Sequence, residues 1–429
     1  MSRWFSPLAA WQEQDMSEKT LVVGGGVIGA ACAYYLAKSG RHVTVVDRGG
    51  FGKACSHGNC GFVCPSHVLP LAQPGAIGPA LKALLSRNAA FSIKPRFDPA
   101  LWSWLFRFAR RCNERDTLRA GRAIQALLNS SRALYDQLMR TEPLNCEWET
   151  RGLLFVFRSP AAMDHYAETD HLLRREFNVP AKRYDADAVA ALEPALKPGL
   201  AGGWHYEADA HLRPDRLMSS WKQVLSARGV TIVEHCEVHG FRNERGRARC
   251  AITAQGDIPA DAFVVAAGAL TPLLGRELGC RIPIQPGKGY SITMPRPAHC
   301  PAIPLIFEED RVAVTPMQTG YRLGSTMEFA GYDTTINRCR LELLRRGASH
   351  YLQEPVAEPI LEEWYGWRPM TSDSIPIIDR SPALENVMIA AGHNMLGLSM
   401  APATGKLVAE LLTGVPQHVD PASYALRRF

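Results

Sequence analysis

Three glycines and one acid near the N-terminus have the types and spacing to hold phosphates and a ribose. Gly24, Gly26 and Gly29 follow the G-x-G-x-x-G spacing, with Val27 and Ile28 between the second and third. The first glycine permits a tight turn, the second lets a pyrophosphate approach the backbone, and the third lets a helix pack close to its strand. The helix N-terminus adds unpaired N–H groups and the positive end of its dipole. Asp47 stands 23 residues after Gly24, where such a site needs an acid to accept from a ribose hydroxyl, and Arg48 follows it. An acid there argues against a 2′-phosphate. An adenine dinucleotide, NAD or FAD, is therefore expected, and NADP is not.

A second group of reactive residues follows. Cys55, Cys60 and Cys64 lie close together, but the spacing C-x4-C-x3-C matches neither zinc pairs nor iron–sulfur runs, and no metal is expected. The small residues Ser56, His57, Gly58 and Asn59 instead suit a loop that brings backbone N–H groups near a large planar ligand.

The elements that must position these residues are legible around them. Leu21 to Val23 reads as a buried parallel strand, Ala30 to Lys38 as a helix stopped by Gly40, and His42 to Val46 as the next strand. After 69 the sequence predicts a loop and then helices, with Trp102, Trp104, Leu105 and Phe108 at helical spacing. With Lys94, Arg96, Arg107, Arg110 and Arg111, this segment has the composition of a membrane-surface helix as well as of an ordinary covering helix. Helices are expected over 120–140, 161–177 and 214–227, and strands over 152–157, 230–233 and 387–391. Cys236 to Phe241 continues the βα pattern, which 95–200 interrupts. Alternating strands at 289–294, 312–316 and 321–325 predict antiparallel sheet within 282–355, after which the chain returns to the first domain. A final helix runs to Leu412.

Composition narrows the classes. The 429 residues exceed one ordinary core, and no apolar run reaches the length of a membrane span. The net charge of +6 is small and the basic residues are scattered, which excludes a nucleic-acid module. Eleven cysteines with no secretory h-region among residues 1–20 read as reduced thiols and a cytoplasmic location, with peripheral contact at the inner face of the cell membrane left open. The first 16 residues read as a lead-in.

Four separated motifs carry a family resemblance: the N-terminal fingerprint; Val264-Val265-Ala266-Ala267-Gly268 with Ala269; Pro286-Gly287-Lys288-Gly289-Tyr290-Ser291; and Arg368-Pro369 with the run from Gly392 to Gly405. In this order the sequence resembles the D-amino-acid dehydrogenase branch of the glycine-oxidase and D-amino-acid-oxidase superfamily of flavoproteins. The resemblance implies FAD and an α/β fold. It implies a Rossmann-like FAD-binding domain (18–92, 205–280, 359–429) interleaved with a substrate domain (93–204, 281–358) whose sheet is mixed and largely antiparallel. It places Ser56 to Asn59 beside the isoalloxazine. Val238, Ala267, Gly268, Gly392, Leu396 and Gly397 join the cofactor contacts.

The implied reaction is oxidative deamination of a D-amino acid, by hydride transfer from its α-carbon to the flavin. A flavin supplies the electron chemistry, so the protein mainly positions and polarises. Arg368 matches the family's carboxylate clamp, a role that a planar fork fills better than a lysine. His393, between a strand end and the final helix, and Tyr290, after Lys288-Gly289, are candidates to contact flavin or substrate; ordinary packing explains either equally well. The loop Ser56-His57-Gly58-Asn59-Cys60 departs from D-alanine-type dehydrogenases. It admits a cyclic or N-methyl amino acid (D-proline, a hydroxy-D-proline, sarcosine, glycine) as the substrate. An NAD-dependent dehydrogenase would leave the late glycine motifs unexplained, and a non-catalytic flavin-binding subunit would leave Arg368 without a role. Oxygen, a quinone or a redox protein are equally open as electron acceptor.

Overall fold

The computed structural model describes residues 18–78, 91–94 and 96–429; the reading of the first 16 residues lies outside them. The strand β1 (Lys19–Val23) buries four of its five residues and pairs in parallel with β2 (His42–Val46) on one side and Ala262–Val265 on the other. Between them runs the helix α1 (Val27–Lys38), which starts three residues earlier than its apolar pattern suggests. Gly26 is extended and forms its N-cap, so Val27 and Ile28 already belong to the first turn. The sheet is completed by Val387–Ala391, Ile377–Arg380 and Thr231–Val233, all parallel except Ile377–Arg380. The helix Gly397–Thr413 packs on α1 so closely that a Cβ on Gly405 would come within 2.4 Å of the Ala31 backbone. Helix Glu114–Thr141 covers it from the other side.

The second sheet has nine strands among the described residues and is mixed, largely antiparallel, as expected. Its parallel pairs are Leu305–Phe307 with Leu153–Phe157 and Phe91–Ile93 with Gly320–Phe329. One expectation is corrected here. The strand Glu362–Thr371 does not return to the first domain after 358; it pairs with Ile284–Met294 over their whole length, from Ile284 opposite Thr371 to Thr293 opposite Glu362. Its mostly half-buried residues do not show the clean alternation by which a strand is read locally. The continuation at Val238–Glu244 likewise turns into a separate antiparallel sheet with Arg247–Thr253 rather than extending the parallel one. The segment 282–355 also holds a helix, Arg338–Ser349, that alternation alone did not suggest.

The aromatic, basic segment forms the helix Pro99–Arg111, capped by Asp98, whose carboxylate accepts from the Leu101 N–H at 3.1 Å. Trp104 is buried and donates from its indole to the Met370 carbonyl at 2.9 Å. Phe97, Trp102 and Phe106, by contrast, are 95%, 61% and 64% exposed. No helix among the described residues is long and apolar enough to cross a membrane.

Candidate active site

A cavity of ≈ 570 Å³ is lined from both sheets. All of the cofactor residues expected from the sequence line it except Gly29, His57 and Gly392. At one end the glycine turn fits its expected role. Gly24 has φ +111°, and a Cβ there would come within 2.5 Å of the Ala266 carbonyl oxygen. Gly29 serves the strand–helix contact instead: its Cβ would meet the Gly24 oxygen at 1.8 Å. Gly392, at φ +82°, packs against Thr371. The Asp47 carboxylate is fixed by two backbone donors, the N–H of Gly25 at 2.7 Å and of Gly49 at 2.8 Å. Each oxygen keeps acceptor capacity for a ribose hydroxyl. Ser56 Oγ accepts from the Val27 N–H at 2.9 Å, which ties the loop 55–60 to the start of α1.

That loop is held by its carbonyls. The carbonyl of Gly58 accepts from Ser291 Oγ at 2.7 Å and that of Cys60 from Thr315 Oγ1 at 2.6 Å. The carbonyls of His57 and Asn59 accept from Arg322 Nη1, at 3.4 and 2.8 Å. Among the described residues no group accepts from the N–H of Gly58, Asn59 or Cys60. Buried N–H groups are rarely left unpaired. All three residues line the cavity, so their unpaired N–H groups are available to a planar, acceptor-rich ring, and the loop fits a flavin. Gly58 lies so near the Trp364 indole that a Cβ would come within 2.3 Å of it.

Arg322 is the main site residue that the sequence did not reveal. It is 1% exposed, donates from Nε to Thr293 Oγ1 at 2.9 Å, and lies 3.8 and 3.9 Å from the Asp215 and Glu362 carboxylates. Nothing local distinguishes it from a surface arginine. His57, expected at the cofactor, is not among the residues that line the cavity and pairs through Nε2 with Glu362 at 2.7 Å.

The three expected catalytic residues all line the cavity. Arg368, on the strand Glu362–Thr371, donates from Nη1 and Nη2 to the carbonyls of Thr326 and Ser325 at 2.8 and 3.2 Å. Those carbonyls belong to a strained segment: Ser325 has φ +113° and Thr326 φ +39°, where the pairing with Ile284–Met294 shifts register between Lys288, opposite Glu328, and Tyr290, opposite Ser325. No carboxylate among the described residues lies within 4.0 Å of the Arg368 guanidinium. Burial pulls its pKa below the ordinary arginine value, with Cys55 and Cys60 opposing. Tyr290 donates its hydroxyl proton to Glu328 at 2.7 Å; burial, reinforced by that carboxylate, raises its pKa far above that of a free phenol. Its oxygen can still accept. His393 is buried, lies 3.0 Å through Nε2 from Thr404 Oγ1, and is kept neutral by burial, which lowers its pKa to about 3. Next to it, Asn394 joins strand and cofactor motif: its N–H donates to the Pro369 carbonyl and its side chain bonds both the N–H and the hydroxyl of Thr371. The N-terminus of the helix Gly397–Thr413 also faces the cavity and favours negative charge there.

The described residues contain one group of three side chains able to hold a metal, Cys64, His67 and Asp209, whose ligand atoms lie within 4.8 Å of one another; of the cysteine run, at which no metal is expected, only Cys64 takes part.

Comparison with known proteins agrees with this geometry. Residues 19–411 match the FAD dependent oxidoreductase (DAO) family. The chain is 33% identical over 424 residues to a D-amino acid dehydrogenase of Paramagnetospirillum magneticum, covering 96% of this chain and 99% of the relative. It is 34% identical over 407 residues to another of Methylobacterium nodulans, covering 92% and 95%. Among solved structures, the fold is similar to glycine oxidase from Geobacillus kaustophilus (TM-score 0.77, 21% identity, 96% and 100% covered). It is also similar to L-proline dehydrogenase from P. horikoshii (TM-score 0.72, 21% identity, 96% and 98% covered).

Proposed function

We propose that this chain, which belongs to the DAO family of FAD-dependent oxidoreductases, dehydrogenates the Cα–N bond of a D-amino acid and releases the imino acid or its 2-oxo hydrolysis product. FAD supplies the hydride acceptor. The single observation that carries the substrate class is Arg368: a largely buried guanidinium with two N–H groups on backbone carbonyls and, among the described residues, no acceptor for the others and no carboxylate partner. A substrate α-carboxylate supplies that partner, and a bidentate pair fixes its direction as well as its distance. The Tyr290 oxygen, its own proton committed to Glu328, accepts an N–H of the substrate amine. His393, neutral through burial, adds no charge to the pocket.

Anaerobic bleaching of the protein-bound flavin by a panel of amino acids tests this reading. D-amino acids should bleach it and their L-enantiomers should not. The panel includes D-proline, hydroxy-D-proline, sarcosine and glycine, because the loop 56–60 differs from that of D-alanine-type enzymes. No bleaching by any of them would overturn the reading. Adding oxygen, a quinone or a redox protein to the bleached enzyme then separates the three classes of acceptor.

We also propose peripheral membrane contact through the helix Pro99–Arg111. Phe97, Trp102 and Phe106 offer apolar surface, and Arg110, 5.8 Å over the Phe106 ring, matches anionic headgroups. The protein should co-sediment with vesicles of anionic phospholipid and be released by salt, and Trp102→Ala with Phe106→Ala should abolish the effect. Wild-type protein that stays in the supernatant would refute it.

A further inference from the structure

The sheet face that carries Arg368 continues well beyond it. Arg368, Gly366 and Trp364 alternate onto one face of Glu362–Thr371, and residues directly opposite on neighbouring strands share a face. Ser291 stands opposite Trp364, Gly324 opposite Ser291, Ala313 opposite Gly324, Ile306 opposite Ala313 and Phe155 opposite Ile306. One row of positions therefore runs from the arginine strand to Phe155 on a single face. Near Arg368 that face carries glycines. A Cβ on Gly289 would come within 2.4 Å of the guanidinium carbon, and one on Gly324 within 2.5 Å of Cys60 Sγ. Gly324 directly precedes Ser325, whose carbonyl holds Arg368. Beyond Gly324 side chains return: Ala313 lies one strand away, about 5 Å, and Ile306 two strands, about 10 Å. Both line the cavity, and so does Phe155.

We propose, resting on the amino-acid oxidation argued above, that this lobe of the cavity holds the substrate's side chain and selects D-amino acids whose side chain is large, apolar or aromatic, and uncharged. With the carboxylate on Arg368, beside Ser325, a side chain directed along the row meets Ala313 and Ile306 next. Phe155 closes the row, and Tyr166 and Tyr206 pack on it with ring centroids 5.3 and 5.5 Å away. Their two hydroxyls lie 3.0 Å apart and bond each other, so each already has a partner.

The charges at the rim cancel. Glu308, two residues beyond Ile306, pairs with Arg311, and both line the cavity. Burial raises the Glu308 carboxyl and Arg311 opposes that rise. A cationic side chain would have to take Glu308 from Arg311, and an anionic one to take Arg311 from Glu308. Either exchange leaves a charge unmatched in a partly buried site, which is costly. Glycine, sarcosine and D-alanine leave Ala313 and Ile306 uncovered and gain no apolar contact from them.

The test reads anaerobic bleaching of the FAD-loaded enzyme by single amino acids. D-phenylalanine and D-leucine should exceed D-alanine in kcat/KM by at least about tenfold, because one methylene in an apolar pocket already changes it by about that factor or more. D-lysine and D-aspartate should fall well below D-phenylalanine. Ala313→Leu fills the lobe and should lower the ratio of D-phenylalanine to D-alanine by about tenfold or more. Ile306→Ala removes atoms instead, so it needs no repacking, and should raise the ratio of D-tryptophan to D-phenylalanine. A second readout needs no turnover. 3-Phenylpropanoate has the carboxylate but no amine to oxidise, and its binding is followed by the change it makes in the flavin spectrum. It should bind at least about tenfold more tightly than propanoate, and Ala313→Leu should narrow that gap. Faster bleaching of wild type by D-alanine, glycine or a charged D-amino acid than by D-phenylalanine would overturn the proposal, and so would ratios unmoved in both variants. Equal binding of the two acids would overturn it as well. Absence of bleaching by every amino acid, with 3-phenylpropanoate still the tighter ligand, would fail the proposed oxidation and leave the apolar lobe standing.

Discussion

Replacing Arg368 separates its two duties. Its guanidinium holds the carbonyls of Ser325 and Thr326, and its further N–H groups are the ones proposed to take the substrate carboxylate. Arg368→Ala removes the partner of a desolvated carboxylate, a loss of about 2–5 kcal/mol, which is roughly thirty- to several-thousandfold in kcat/KM. It also strips two carbonyls of their donor at about 1–3 kcal/mol each when fully buried; water entering the vacated space should hold the stability loss near the lower bound. Arg368→Lys keeps the charge and can reach one carbonyl, but lacks the fork, so it should fall between wild type and alanine. The assay compares a D-amino acid with its carboxamide on all three proteins, alongside thermal melts and flavin content. The carboxamide should already be poor for wild type and lose little more in the variants, and FAD should stay bound. Equal losses for acid and amide, or release of FAD, would show that Arg368 only braces the strained segment.

Asp47→Ala leaves the N–H groups of Gly25 and Gly49 without their acceptor; FAD affinity by equilibrium dialysis should weaken by about 1–3 kcal/mol, and unchanged affinity would remove Asp47 from the ribose. Arg322→Met frees the carbonyls of His57 and Asn59 together, so the melting temperature and the flavin spectrum should shift jointly, with Arg322→Lys recovering part of both. Gly29→Ala would drive a Cβ to 1.8 Å from the Gly24 oxygen and should yield protein without flavin, measured as the absorbance ratio after purification.

The parts of the site that were readable in the sequence are the ones a short stretch determines by itself. The turn from β1 into α1 needs glycine at fixed offsets, and Asp47 falls at the end of the next strand, so spacing alone located both. Arg368 was legible from its neighbours and its family context. Arg322 was not, because its partners at 57, 59, 215, 293 and 362 are distant in sequence and converge only in the fold. The strand Glu362–Thr371 was missed for a related reason: its place is set by pairing with Ile284–Met294, and its half-buried aromatics carry no period of their own. The pairing of His57 with Glu362 was not legible, because a histidine beside flavin-loop residues gives no sign that a carboxylate 305 residues away will claim it.

Asn394 bears on how the enzyme can be re-engineered. Through the Pro369 carbonyl and Thr371 it fastens the strand that carries Arg368 to the loop that opens the last helix. Anyone grafting a relative's substrate specificity onto this scaffold would therefore be moving a second wall of the cavity at the same time. A chimera that exchanges 364–371 alone would bring a foreign strand against a native Asn394, whereas one that exchanges 364–371 together with 392–397 carries both sides of the joint across as one inherited module.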